Sequence, residues 1–147
     1  MGEFPRPITG MLRGRRLERV TPGGEHARAV IAQAERHVET ARILATTDDQ
    51  AMAFTAAYDA ARKALSAVLA ARGLRVRPVG GAHYNTGVAA AAFVTDDALA
   101  DFEWMRQVRN ATEYPSEDRP GATESDVAEA IEAAADIVAA CRRAVSE

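Results

Sequence analysis

Three long segments of this chain repeat apolar residues every three or four positions, a spacing that suits an α-helix and does not suit a strand. Between Glu25 and Ala45 the repeat runs Ala27, Val30, Ile31, Ala34, Val38, Ala41 and Ala45. Between Asp49 and Arg72 it runs Phe54, Ala57, Tyr58, Ala61, Leu65, Val68 and Leu69. Between Thr123 and Val145 it runs Val127, Ala130, Ile131, Ala134, Ile137, Val138, Cys141 and Val145. At about 100° per residue each set falls on one stripe that must be buried against another element. Two shorter segments, His83–Val94 and Ala98–Tyr114, also read as helices. Nothing reads as a convincing strand, so the expected fold is all-α, an up-and-down bundle of four to five helices.

The punctuation agrees with this division. Thr46-Thr47-Asp48-Asp49 breaks the first long helix and offers an N-cap to the second, and Gly73 stands where a C-terminal cap belongs. Thr95-Asp96-Asp97 caps the segment from Ala98, and Pro115 stops it. Thr123 with Asp126 resembles a capping pair. Gly87 weakens its helix by about 1 kcal/mol relative to alanine. Leu74–Ala82 and Ser116–Ala122 are expected loops; the Gly80-Gly81 pair is too short for a phosphate-binding fingerprint.

A chain of 147 residues fits one domain with one core. Residues 1–24 form a basic, proline- and glycine-rich arm, expected to hold at most one helical turn near Met11–Val20, with the bundle filling residues 25–147. The net charge of −3 argues against a generally basic nucleic-acid-binding surface. Charge is nevertheless uneven. Residues 1–24 carry five Arg against two Glu, a net +3, and residues 96–147 carry thirteen acids against five Arg, a net −8. The arm therefore also reads as a phosphate-seeking segment.

Several classes are disfavoured. Cys141 is the single cysteine, so no internal disulfide and no cysteine-based metal site is expected, and its place on an apolar stripe suits an inert buried thiol. The histidines at 26, 37 and 83 make no metal-ligand spacing; His26 and His37 read as surface residues. No serine sits in a Gly-x-Ser-x-Gly turn. No segment approaches 18 apolar residues and the N-terminus lacks an apolar signal core, so a cytoplasmic protein with no membrane contact and no cofactor is expected.

The stretch with chemistry is ALADFEWMRQVRNATEYP, residues 98–115. Leu99, Phe102, Arg106, Arg109, Asn110 and Glu113 share one stripe that begins apolar and turns ionic. One reading is that the helix leaves the core and brings two guanidiniums, an amide, the Glu113 carboxylate and the Tyr114 phenol to one place. The other is an ion-pair ladder, Arg106–Glu113 and Arg109–Glu113, on a partly exposed end. Trp104, Val108 and Ala111 form a second apolar face, suited either to a second subunit or to a central place in the chain's own bundle.

The order of these segments resembles the HEPN superfamily of small helical-bundle domains. A tyrosine-bearing helix with YDAARKALSAVLAARGL is followed by GAHYN, then by MRQVRNATEYP, then by a long closing helix, over about residues 25–145. Ribonucleases of that superfamily carry an Arg, a polar residue and, a few positions on, a His, and build a metal-independent site across a homodimer. Arg109 and Asn110 match the first two positions, and Tyr114 stands where the histidine would. A phenol, ionising near pH ~10, is a poor general base at neutral pH, whereas arginine still binds phosphate through its planar fork. The resemblance thus implies a non-catalytic homodimeric module binding RNA, nucleotide or a partner protein at Arg106, Arg109, Asn110, Glu113 and Tyr114. Two alternatives stand beside it. One is a metal-independent ribonuclease of toxin or defence type using Arg109 with His83 or Tyr114. The other is a regulatory partner in a toxin–antitoxin-like pair.

Overall fold

The computed structural model describes residues 4–115 and 121–146. The elements run α1 (Arg6–Arg13), β1 (Leu17–Arg19), α2 (Gly24–Leu44), α3 (Gln50–Ala71), β2 (Leu74–Val76), α4 (Ala82–Ala90), α5 (Phe102–Glu113) and α6 (Glu124–Val145), with a 3₁₀ turn over Asp97–Asp101 ahead of α5. The fold is a largely all-α bundle. Within the expected loop Ser116–Ala122, residues 116–120 lie outside the described residues.

Helix α3 is the axis. It packs against α2, α4, α5 and α6, and it buries Phe54, Tyr58, Leu65, Val68 and Leu69 together with six alanines. Small side chains at that density let neighbouring helices approach closely, and burial of the larger ones supplies most of the drive. The ends are built as the residue types require. The Asp49 carboxylate accepts from the Met52 N–H at 3.1 Å, and Asp96 accepts from the Ala98 N–H at 2.9 Å. Thr123 and Asp126 form a reciprocal capping box. Gly73 takes a φ of +77°, and a Cβ there would lie 2.9 Å from the Val20 carbonyl oxygen.

Two expectations for the first half of the chain are corrected. The segment before residue 24 forms the two-turn helix α1 and the strand β1, where at most one turn was expected further along. Ile8, Met11 and Leu17 are buried with Leu69, Leu74 and Ala89 in a second apolar cluster. Secondly, the chain does contain strands. β1 and β2 pair antiparallel with Leu17 opposite Val76, Glu18 opposite Arg75 and Arg19 opposite Leu74. Three-residue strands are too short to show alternation, and their pairing spans more than fifty positions, so local pattern did not reveal them.

α4 and α5 set the site. α4 ends at Ala90, short of the expected Val94, and α5 begins at Phe102 after the 3₁₀ turn. The Phe102 ring stacks on Tyr58 at 5.4 Å and 14°. It also presses on Gly87, where a Cβ would come within 2.8 Å of Phe102 Cδ2. Trp104 meets Phe54 edge-to-face at 5.9 Å, and Trp104 and Val108 pack on the main core. Both apolar faces of α5 thus have contacts within the chain's own bundle.

Candidate functional site

Phe102 fixes the rotation of α5, and the residues one and two turns further on follow from it. Arg109 is carried back over α3, with its guanidinium carbon 5.9 Å from the Tyr58 ring centroid. Arg62 stands one turn beyond Tyr58 on the same helix, hence on the same face. From α4, the His83 ring comes within 5.8 Å of Tyr58. The junction therefore gathers a phenol, two guanidiniums and an imidazole from three helices.

Its hydrogen bonding is incomplete. Among the described residues, the buried side-chain polar atoms without a partner are the Tyr58 hydroxyl, Arg62 Nε and Arg109 Nε. All three belong to this junction. Buried polar groups are almost always satisfied, so an orphaned group calls for a reason such as an absent ligand. Tyr58 is fully buried, as its place on the apolar stripe requires, and its hydroxyl is buried with the ring; that burial pushes its phenol up to about 12. It is a neutral hydroxyl at any physiological pH.

The guanidiniums differ in how firmly they are held. Arg106 forms a bidentate pair with Glu103, Nε to Oε1 and Nη2 to Oε2, both at 2.7 Å. Those hydrogen bonds lower the Glu103 pKa and raise that of Arg106. Arg106 thus pairs with Glu103 and not, as the ladder reading had it, with Glu113. The carboxylate one turn ahead lies along the direction in which helical side chains lean. Arg109 does approach Glu113, at 3.5 Å, and Arg62 approaches Asp59 at 3.7 Å. Both are charge contacts at long range. The Arg106 and Arg109 side chains are 24% and 25% exposed, which places them at the surface of the core and not in bulk water.

A shallow cleft of about 240 Å³ is lined by Gly81, Ala82, His83, Tyr84, Arg106 and Asn110, and His83 is the residue it shares with the junction. The first turn of α4 has no side-chain cap, although the Ala82 N–H donates to the Val79 carbonyl at 3.1 Å; Gly81–Tyr84 at this end of the helix line the cleft, where the positive end of the helix dipole lies. Arg106 also lies over the Tyr84 ring, at 5.6 Å. Burial, reinforced by Arg62 and Arg109, holds the His83 pKa below the usual histidine range.

Of the residues singled out in the sequence, His83, Arg106 and Asn110 share this cleft, and Arg109 lies over the Tyr58 ring. Glu113 serves as partner to Arg109. Tyr114 is 78% exposed at the end of α5, with no side-chain hydrogen bond or aromatic contact among the described residues. Tyr58 was legible as a member of the buried stripe of α3, but neither it nor Arg62 was singled out for the site. Their four-residue spacing is visible in the sequence, but the packing of α5 against them is not. Among the described residues, no three His, Cys, Asp or Glu side chains are grouped to hold a metal ion, and no helix is long and apolar enough to cross a membrane.

A family model described as the HEPN domain matches residues 27–144. This chain belongs to the HEPN family. The HEPN match covers α2 through nearly all of α6 and leaves α1 and β1 outside it. The junction of Tyr58, Arg62, His83 and Arg109 lies wholly within the HEPN domain. No curated protein and no solved structure matches the chain.

Proposed function

We propose that this HEPN domain is a non-catalytic module that binds RNA by a backbone phosphate, through Arg62, Arg109, the Tyr58 hydroxyl and the open first turn of α4. Arg106 and Asn110 line the mouth of that site. The observation that carries the reading is the gathering of three unpartnered buried polar atoms at one junction. A phosphate accepts hydrogen bonds from two guanidinium N–H groups and a phenol together, and charge-assisted bonds of this kind are strong. The competing carboxylates are weak rivals: Asp59 lies 3.7 Å from Arg62 and Glu113 3.5 Å from Arg109, and helical pairs at i,i+3 or i,i+4 contribute only about 0.2–0.5 kcal/mol. Tyr114, out in solvent, supplies no proton-transfer group to the site.

Fluorescence anisotropy with a labelled single-stranded RNA tests this. Arg109→Ala and Arg62→Ala are each expected to weaken binding at least about tenfold, the worth of one charge-assisted hydrogen bond. Unchanged affinity in both variants removes the reading. It also includes a homodimer, and a monomer by light scattering at micromolar concentration removes that part. Stable capture of a partner protein with no RNA affinity would favour the regulatory subunit of a toxin–antitoxin-like pair.

A second reading, metal-independent ribonuclease, has one observation in its favour. His83 is depressed in pKa beside Arg109, which leaves a neutral imidazole able to accept a proton at neutral pH. In that reaction the imidazole takes the 2′-hydroxyl proton. The 2′-oxygen bonds to phosphorus, the 5′-oxygen leaves with a proton from solvent, and Arg109 offsets the charge on the phosphorane. RNA cleavage in EDTA that is lost in both His83→Ala and Arg109→Ala would replace the non-catalytic reading with this one.

A further inference from the structure

No Asp or Glu occurs between Asp59 and Asp96, a stretch that holds Arg62, Lys63, Arg72, Arg75 and Arg77. The β1–β2 pairing sets the basic N-terminal segment beside it. The Arg77 N–H donates to the Arg16 carbonyl at 2.9 Å, and Arg77 Nη1 donates to the Arg15 carbonyl at 3.1 Å. Arg15 holds the left-handed φ of 60° that this turn requires. Arg13, Arg15 and Arg16 are exposed around the sheet. The acid among them, Glu18, is neutralised by Arg75 at 3.1 Å, whose hydrogen bond lowers the Glu18 pKa.

A groove of about 580 Å³ joins this basic sheet to the HEPN junction. It is lined by Arg75 and Arg77 from the sheet and by Arg62 and His83 from the junction, so the two basic regions share one concavity. Leu69 and Val76 give it an apolar floor, and no Asp or Glu lines it. Its volume suits a base and sugar, not a duplex. Positive grooves with apolar or aromatic floors are how proteins follow single strands without reading their sequence.

We infer that the β1–β2 sheet, its turn and this groove form a track for single-stranded RNA flanking the phosphate held at the Tyr58–Arg62–Arg109 junction. The inference rests on the RNA reading above and extends it onto a surface that lies partly outside the HEPN match. The variant Arg13→Gln/Arg16→Gln/Arg75→Gln tests it, with an unchanged thermal midpoint as the control for folding. An RNA of about 12 nucleotides spans junction and track, whereas one of roughly three nucleotides fills the junction alone.

The triple variant is expected to weaken the long RNA about tenfold or more at ~0.1 M salt. It should also reduce the slope of log affinity against log salt by about 2, from ~0.7 per lost single-strand phosphate contact. The short RNA should bind it as it binds the wild type. Equal binding of the long RNA to the triple variant and wild type, with both weakened by Arg109→Ala, overturns the track and leaves the junction reading standing. No binding of either RNA to the wild type overturns both. Selective binding of a polyglutamate peptide in place of RNA would show that the same surface serves an acidic protein partner, and would also overturn the track.

Discussion

Arg109 lies over the face of Tyr58, its guanidinium carbon 5.9 Å from the ring centroid, and neither Arg109 Nε nor the Tyr58 hydroxyl has a hydrogen-bond partner. A cation over an aromatic face is favourable in itself, but it satisfies neither polar group. On the phosphate reading proposed above, the third participant is the ligand. Tyr58→Phe separates the structural part from the binding part. Removing a hydroxyl that is buried without a partner is expected to leave stability unchanged or raise it by about 1 kcal/mol, as urea denaturation would report. RNA affinity should fall several-fold at the same time. A clear loss of stability would mean that the hydroxyl is satisfied in the unliganded protein.

Gly87→Ala sets local propensity against tertiary packing. On helix propensity alone the change should stabilise α4 by about 1 kcal/mol. In the fold, the new Cβ would come within 2.8 Å of Phe102 Cδ2, and the Phe102 ring is stacked on Tyr58. A net loss of about 1–3 kcal/mol is expected, together with weaker RNA binding as α5 shifts. A raised thermal midpoint would contradict this packing.

Ile8→Ala tests whether the N-terminal segment belongs to the folded body. Ile8 is fully buried among Met11, Leu17, Leu69, Leu74 and Ala89. Truncating it should cost about 2–5 kcal/mol, read from the urea midpoint. A loosely packed arm would show no change.

Stability and binding should respond to pH in opposite senses. Burial lowers the pKa of both His83 and His37, the latter aided by Lys63, whose ammonium donates to His37 Nε2 at 2.8 Å. The unfolded chain therefore binds these protons more readily. Stability should fall as pH drops from the unfolded value of about 6.5 through the folded values. A phosphate beside His83 favours the imidazolium, so RNA affinity should rise over the same descent. His83→Gln should flatten the affinity profile while the His37 share of the stability profile persists. A wild-type affinity that does not change between about pH 7.5 and 5.5 would count against a phosphate next to this ring.

The long helices were legible because their burial is periodic over five or six turns. The Asp49, Asp96 and Thr123 caps were legible because capping is a contact between near neighbours. Arg106, Arg109, Asn110 and His83 were singled out as candidates from residue chemistry and family likeness. Tyr58 and Arg62 were not: periodicity placed Tyr58 in the core, but nothing local shows which residues of neighbouring helices lie against its ring. The β1–β2 ladder and the docking of α1 escaped for a related reason. Short elements carry too little pattern, and their stabilisation comes from partners far away in the chain.

Sequence alone determined the helical character, the break points and the stock of arginines, since these depend on side-chain identity and on interactions within a turn or two. Only the tertiary structure decided which arginine meets which group. Phe102, packed against both Tyr58 and Gly87, sets the rotation of α5, and that packing turns Arg109 toward a buried phenol. Ion pairs on a helix are nearly equal in energy, whereas an aromatic ring in a close-packed core has one place to sit.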